Sequence, residues 1–425
     1  MVTLARINLR WTQLTGALIC TLLLVASQPA QAQFSVIHNF SGAGDGGNPY
    51  VGLTMDAAGN FYGTTYNGGN QACTGGCGIV FKLMRSGSGW TFHPLYSFAG
   101  GNDGAHPYSR VTIAADGTLY GTTYYGGGTS GCGSNGCGTI YHLTPPPNAP
   151  RNALPTWDET VIHRFSFSDG AAPQGDLTFD AAGNIYGTTI YGGSGGGVIY
   201  ELTPSGGSWT QTVLYTPEGT APFYPYGGVI LDAAGNLYGV FNSGPNGPGA
   251  VYELSKSGSS WTERSIYAFT GGSDGSLPVG GLIFDSAGNL YGTTTSGGDP
   301  DNPDGTAFQL VPSGGNWIFN LLWTFGPFTL VNADDKLMID SAGNLYGTTF
   351  YNGGRNAGTI YELVHSNNYM SMDLHDFAGS DGANPMSIIV SDANGNFYGT
   401  AIAGGSSGNG CAGGHGCGVI WEIAR

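Results

Sequence analysis

Positive charge is scarce in this chain. Its 425 residues include 12 Lys and Arg against 28 Asp and Glu, a formal net charge of −16. Such a surface repels phosphate backbones, and no basic stretch interleaved with aromatics offsets it, so nucleic acid is excluded as an expected partner. Charge of either sign reaches only 9%, yet aromatics make up 12% and 77 glycines recur in register with them. That combination argues for many short strands joined by tight turns rather than disorder. Long apolar runs are also missing, apart from Leu14–Ala26, which is shorter than the ~20 residues a membrane span needs. Arg6 and Arg10 precede this run and Ala30-Gln31-Ala32 follows it, which reads as a signal peptide over residues 1–32. The chain from Gln33 onward is then expected to be secreted or periplasmic, monomeric and without a membrane span. No ten-residue window carries a 3.6-residue apolar period, so helices are not expected either.

What the chain has in abundance is repetition. The phrase Asp-Ala-Ala-Gly-Asn-Phe-Tyr-Gly-Thr-Thr at Asp56–Thr65 returns with small changes, placing its tyrosine at Tyr62, Tyr120, Tyr186, Tyr238, Tyr291, Tyr346 and Tyr398. Around each copy lie four runs rich in β-branched and aromatic residues, separated by Gly, Asp, Asn and Pro turns. In the fifth copy these are Leu282–Phe284, Asn289–Thr294, Thr306–Leu310 and Trp317–Trp323. One four-stranded meander per ~50 residues, repeated seven times, predicts an all-β, seven-bladed β-propeller over 33–425. The phase of the repeat predicts closure. Phe34–Phe40 matches the outer strand of other copies, and Gly418–Ile423 matches a third strand. The N-terminus therefore supplies the outer strand that the last copy lacks, and no sheet edge is left open to aggregate.

Most residues held constant across copies read as scaffold. Asp56, Asp180, Asp232, Asp285, Asp340 and Asp392 share one turn, where a carboxylate accepts backbone N–H bonds. Gly63 and its equivalents are expected to leave room for aromatics of the neighbouring blade. His38, His163 and His375 occupy a slot that elsewhere holds Tyr96, Tyr267 or Trp323, so that slot asks for a flat ring rather than a catalytic imidazole. Several Gly-x-Ser-x-Gly matches lack the following helix that a nucleophile elbow needs. The cysteines are more specific. Cys73/Cys77, Cys132/Cys137 and Cys411/Cys417 form three close pairs, each in the loop before a third strand. In an exported chain they read as local disulfides, each contributing about 2 kcal/mol in the chain-entropy model.

The repeat resembles the GloVer tandem repeat of bacterial choice-of-anchor proteins, through Asp-x-x-Gly-Asn-x-Tyr-Gly-Thr-Thr, the Gly-Gly loop and Gly-Thr-Ile-Tyr-Glu-Leu at Gly358–Leu363. The resemblance implies export and, in many members, a surface anchor, for which this chain shows no segment. It implies no activity and no catalytic residues. Specificity is expected where copies depart from the repeat. Phe223, Tyr224, Tyr226 and Phe328 are candidates for an aromatic contact surface, with packing of longer loops as the alternative. Asp299, Asp301 and Asp304 offer three carboxylates near Gly305, either as a calcium site or as a solvated turn. No other cofactor is expected. Two functions fit: a non-catalytic binding or scaffold module recognising a glycan, peptide or envelope component through its loop face, or an extracytoplasmic propeller enzyme such as a glycan lyase or hydrolase.

Overall fold

The computed structural model describes residues 33–425 except 88, 129–130, 148–154, 218–222, 244–246, 259, 302, 327–335, 407–410 and 412–415. The signal segment and Phe328 therefore lie outside the described residues. The chain forms seven antiparallel sheets of four strand positions each, a closed seven-bladed β-propeller. Blade 1 is built from Thr54–Met55, Phe61–Thr65, Ile79–Ser86 and Gly89–Ser97, counting outward from the axis. Blade 7 is built from Val390–Ser391, Phe397–Ala401 and Val419–Ala424, and its outer strand is Gln33–Asn39 from the opposite end of the chain. That strand carries the same bulge, between Val36 and His38, that the outer strands of other blades carry, for instance between Val161 and His163. Among the described residues the only helical elements are two three-residue 3₁₀ turns, and no helix is long and apolar enough to cross a membrane.

The repeated phrase now has physical reasons. Asp56 accepts the N–H groups of Ala58 and Asn60, both at 2.9 Å, together with the Asn60 amide at 2.8 Å and the Tyr62 hydroxyl at 3.2 Å. The equivalent carboxylates are saturated in the same way, Asp392 included, so they are scaffold. The first Thr of Gly-Thr-Thr joins blades: Thr122 donates to the Pro173 carbonyl at 3.3 Å, and Thr400 donates to Pro49 at 3.3 Å, sealing blade 7 to blade 1. The second Thr stays within its blade, as in the 2.8 Å contact between the Thr123 and Thr139 hydroxyls. The Gly of the phrase corrects the expectation above. A Cβ at Gly63 would lie 2.5 Å from the Phe81 ring, and Phe81 is its cross-strand partner in the same blade. The third-strand aromatic lies flat over the glycine beside it, so the space serves its own blade.

The slot that asks for a flat ring behaves as expected. His38 stacks on Phe92 of the next blade at 4.1 Å, His375 on Phe34 at 3.6 Å and Tyr267 on Phe319 at 4.5 Å. Each ring also faces the aspartate of a nearby Asp-Gly pair: Asp45, Asp381 and Asp274, at 3.4, 3.0 and 3.0 Å. These carboxylates are thus occupied within the scaffold.

All three disulfides form within the expected pairs. They fit an oxidising, extracytoplasmic compartment. The carbonyls of Cys77, Cys137 and Cys417 accept the N–H groups of His106, Ala172 and Asn48 in the following blade, at 2.8, 2.9 and 2.7 Å. His106, Ala172 and Asn48 are left-handed, at φ 56°, 54° and 55°, an uncommon conformation for residues with a side chain. Each disulfide therefore braces the point where the next blade is clasped. The glycine after each second cysteine is required there. A Cβ on Gly138, at φ 96°, would sit 2.4 Å from the Thr123 carbonyl and 2.7 Å from Pro173 of the next blade.

Candidate functional site

Connections from outer to innermost strands, and from second to third strands, emerge on one face of the ring, the loop face. The Asp-x-x-Gly-Asn turns mark the other. On the loop face the ends of second strands and the starts of innermost strands bring tyrosines together across blades 1 to 4. Tyr50 lies 5.1 Å from Tyr66 and 5.2 Å from Tyr108, ring centre to ring centre. Tyr66 stacks on His106 at 4.3 Å, and Tyr108 continues to Tyr124 at 5.9 Å. Tyr124 meets Tyr125 at 4.6 Å, while Tyr191, Tyr224 and Tyr226 form an adjoining set with one another at 5.6 and 6.5 Å, coupled electrostatically to Tyr124 through Tyr191 and Tyr226. Most of these rings are half-buried, and Tyr191 is 40% exposed. Burial pushes the Tyr66 hydroxyl up to about 12 and also raises Tyr50, so these two stay protonated at neutral pH. It offers flat apolar faces edged with hydroxyl groups.

Of the residues singled out in the sequence, Tyr224 and Tyr226 belong to this platform. Phe223 does not: it packs 5.2 Å from Phe241 as part of a blade core. Asp301 donates its N–H to the Asp299 carboxylate at 2.9 Å, and Gly297 bridges to Asp304. Among the described residues, no three His, Cys, Asp or Glu side chains gather where they would hold a metal ion. Arg355 is exposed on its loop.

The axis holds a second grouping, which the sequence reading left unassembled. Four residues before each turn Asp, and before Ala114 in the second copy, comes a slot that faces the centre, occupied in chain order by Gly52, Arg110, Asp176, Gly228, Gly281, Lys336 and Ile388. Arg110 donates to Asp176 from its backbone N–H at 3.1 Å and from Nε at 2.9 Å, with Nη2 at 2.8 Å, while Lys336 Nζ lies at 3.2 Å. Burial works to raise the Asp176 carboxyl, but the two cations outweigh it and hold the group well below its ordinary range. Burial lowers Lys336 despite the Asp176 charge. Gly281 makes this packing possible, since a Cβ there would overlap the Lys336 stem. The triad plugs the channel. On its loop-face side lies a small pocket of about 30 Å³, and on the turn side a cavity of about 560 Å³.

One more carboxylate departs from the scaffold pattern. Glu159, on the outer strand Asp158–Arg164, is pushed up to about 7 by burial and by the neighbouring Asp103. It is therefore protonated in the fold at pH values where the unfolded chain, near 4.5, has already lost the proton. Stability then falls as pH rises between those values. Glu159→Gln is expected to flatten this part of the stability profile and to raise stability at pH 8 by roughly 1 kcal/mol after solvent screening. Urea denaturation from pH 4 to pH 8 reads the effect, and parallel profiles for the two proteins would refute it.

A closed propeller with a tyrosine platform on its loop face and a salt-bridged plug at its axis is an all-β tandem-repeat protein. More particularly, the chain belongs to the Gloeobacter/Verrucomicrobia repeat family, whose model matches residues 23–148, 127–329 and 300–412. No curated protein matches it in sequence. Among solved structures it is similar to one described as the extracellular domain of a one-component system from B. thetaiotaomicron, with 13% identity and a TM-score of 0.52. That match covers 91% of this chain but only 39% of the other. A Dyadobacter fermentans protein of unknown function is 13% identical, with a TM-score of 0.47 over 93% of this chain and 100% of its own. A PL25 ulvan lyase is 12% identical, with a TM-score of 0.49 over 80% of this chain and 86% of its own. Likeness at these identities concerns the fold alone.

Proposed function

We propose that this chain is an exported, non-catalytic binding module whose loop face takes a glycan. The observation that carries the reading is the platform of contacting tyrosines across blades 1 to 4. Uncharged rings with hydroxyl edges suit the apolar faces and peripheral hydroxyls of sugar rings better than they suit a charged peptide. The rings are already packed against one another, so little side-chain entropy is lost when a ligand docks.

A glycan array with the chain from Gln33 onward identifies the ligand, and Tyr66→Ala and Tyr124→Ala test the site. Removing one platform ring is expected to weaken binding about tenfold, the equivalent of ~1.4 kcal/mol. Melting temperatures of the variants confirm that the blades remain folded. Binding that survives both substitutions would move the ligand off the platform. Cleavage of a polysaccharide in a parallel activity screen would replace the binding reading with a lyase or hydrolase.

A further inference from the structure

The channel on the turn face has chemistry of its own. Its walls are the innermost strands, where Met55, Ile113, Ile230, Ile283 and Phe284 present apolar surface. The threonines in that wall are already engaged with the next blade. Thr54 donates to the Val111 carbonyl at 2.6 Å, Thr112 to Leu177 at 3.0 Å and Thr178 to Val229 at 2.5 Å. At the inner end stand Arg110, Asp176 and Lys336, whose side chains remain 26%, 15% and 11% exposed. Among the described residues, two cations against one carboxylate leave a single positive charge without a counter-charge, at the end of a partly apolar cavity of about 560 Å³. That volume is within the usual range of small-molecule sites.

We propose that this half of the channel binds a small monoanionic amphiphile: one carboxylate on an aliphatic or aromatic body. The surplus cation takes the carboxylate, and the strand side chains cover the rest. A sugar would find few donors in this wall for its hydroxyl oxygens, because the threonine protons are already committed, although their oxygens can still accept. A free metal cation would be repelled by the same surplus charge. A neutral ligand would leave the cation without a partner. The site lies on the opposite face from the tyrosine platform and does not depend on the glycan reading.

Octanoate and octanol, titrated calorimetrically into the chain from Gln33 onward, separate these cases. Octanoate is expected to bind with a dissociation constant on the order of 0.1 mM, and octanol at least about tenfold more weakly. Lys336→Met removes the surplus charge while leaving the Arg110–Asp176 pair intact, and should weaken octanoate about tenfold. Arg110→Met removes the same charge by another route and serves if the first variant does not fold. Tyr66→Ala should leave octanoate binding unchanged. The proposal is overturned if octanoate gives no binding heat up to roughly 10 mM, if octanol binds as tightly, if the folded Met variants bind octanoate normally, or if Tyr66→Ala abolishes it.

Discussion

Removing Phe34–Phe40 is expected to lower the melting temperature by on the order of 15 °C, or to prevent folding altogether. The segment contributes nearly all of the outer strand of blade 7, whose register runs from Gln33 opposite Ala424 to Asn39 opposite Val419. Phe40 is 1% exposed and packs in the cluster that joins blades 7 and 1, and Phe34 covers His375 of blade 6. A buried Phe alone is worth about 3–5 kcal/mol on truncation. Losing Phe40 and the half-buried Phe34, with the strand between them, consumes much of a total stability of ~5–15 kcal/mol. The Ala424-Arg425 truncation is the control, and it is not wholly silent. Arg425 donates to the Tyr346 hydroxyl at 3.1 Å and lies 3.4 Å from the buried Glu362, so its loss should cost roughly 1–3 kcal/mol, still well below the loss of the strand. Equal melting temperatures for the two truncations would show that the N-terminal strand does not seal the ring.

Asp176→Ala should cost about 3–5 kcal/mol, because it strands two cations at the axis with no counter-charge. The variant's only relief is to release the Lys336 proton, which burial already favours. The pH dependence follows from the sign of the wild-type shift. Asp176 is held below its ordinary value of 3.8, so its contribution is complete above that value and is lost progressively as pH falls from there through the lower folded value. The gap between wild type and Asp176→Ala should therefore be full at pH 6 and narrow below about pH 4. Guanidinium melts at pH 3, 4 and 6 measure this. A gap of constant size, or one below roughly 1 kcal/mol, would mean that the triad contributes little. Replacing all three members with apolar residues should be far milder, since it leaves no charge stranded.

The fold was legible because repetition averages out local ambiguity. A short run such as Leu282–Phe284 is uninformative alone, but seven copies in one phase leave few architectures. The disulfides were legible because each pair is local and shares a loop position. Gly63 misled because its partner is chosen by strand register: Phe81 faces it across its own sheet, which spacing along the chain does not reveal. The axial triad escaped for a similar reason. Asp176 lies 66 residues from Arg110 and 160 from Lys336, and only ring closure makes them neighbours. A signal was nevertheless present, since charge replaces Gly or Ile in one fixed slot of three copies. The platform left a comparable trace. Tyr66 and Tyr124 follow Gly-Thr-Thr where other copies have Ile190, Thr295 or Ile402, in strand ends rather than in the irregular loops that drew attention.

The disulfides are distributed unevenly around the ring, and this has a consequence for how the molecule fails. Disulfides brace blades 7, 1 and 2, whereas among the described residues blades 3 to 6 are held by packing, hydrogen bonds and ion pairs. Local opening starts where the least constraint opposes it, on the unbridged arc. Six of the platform rings, from Tyr50 to Tyr125, stand on blades 1 and 2. A ring that frays at its weak side thus keeps most of its tyrosine platform assembled and can close again around it. Wear in an oxidising, extracytoplasmic compartment is therefore directed away from the tyrosine platform.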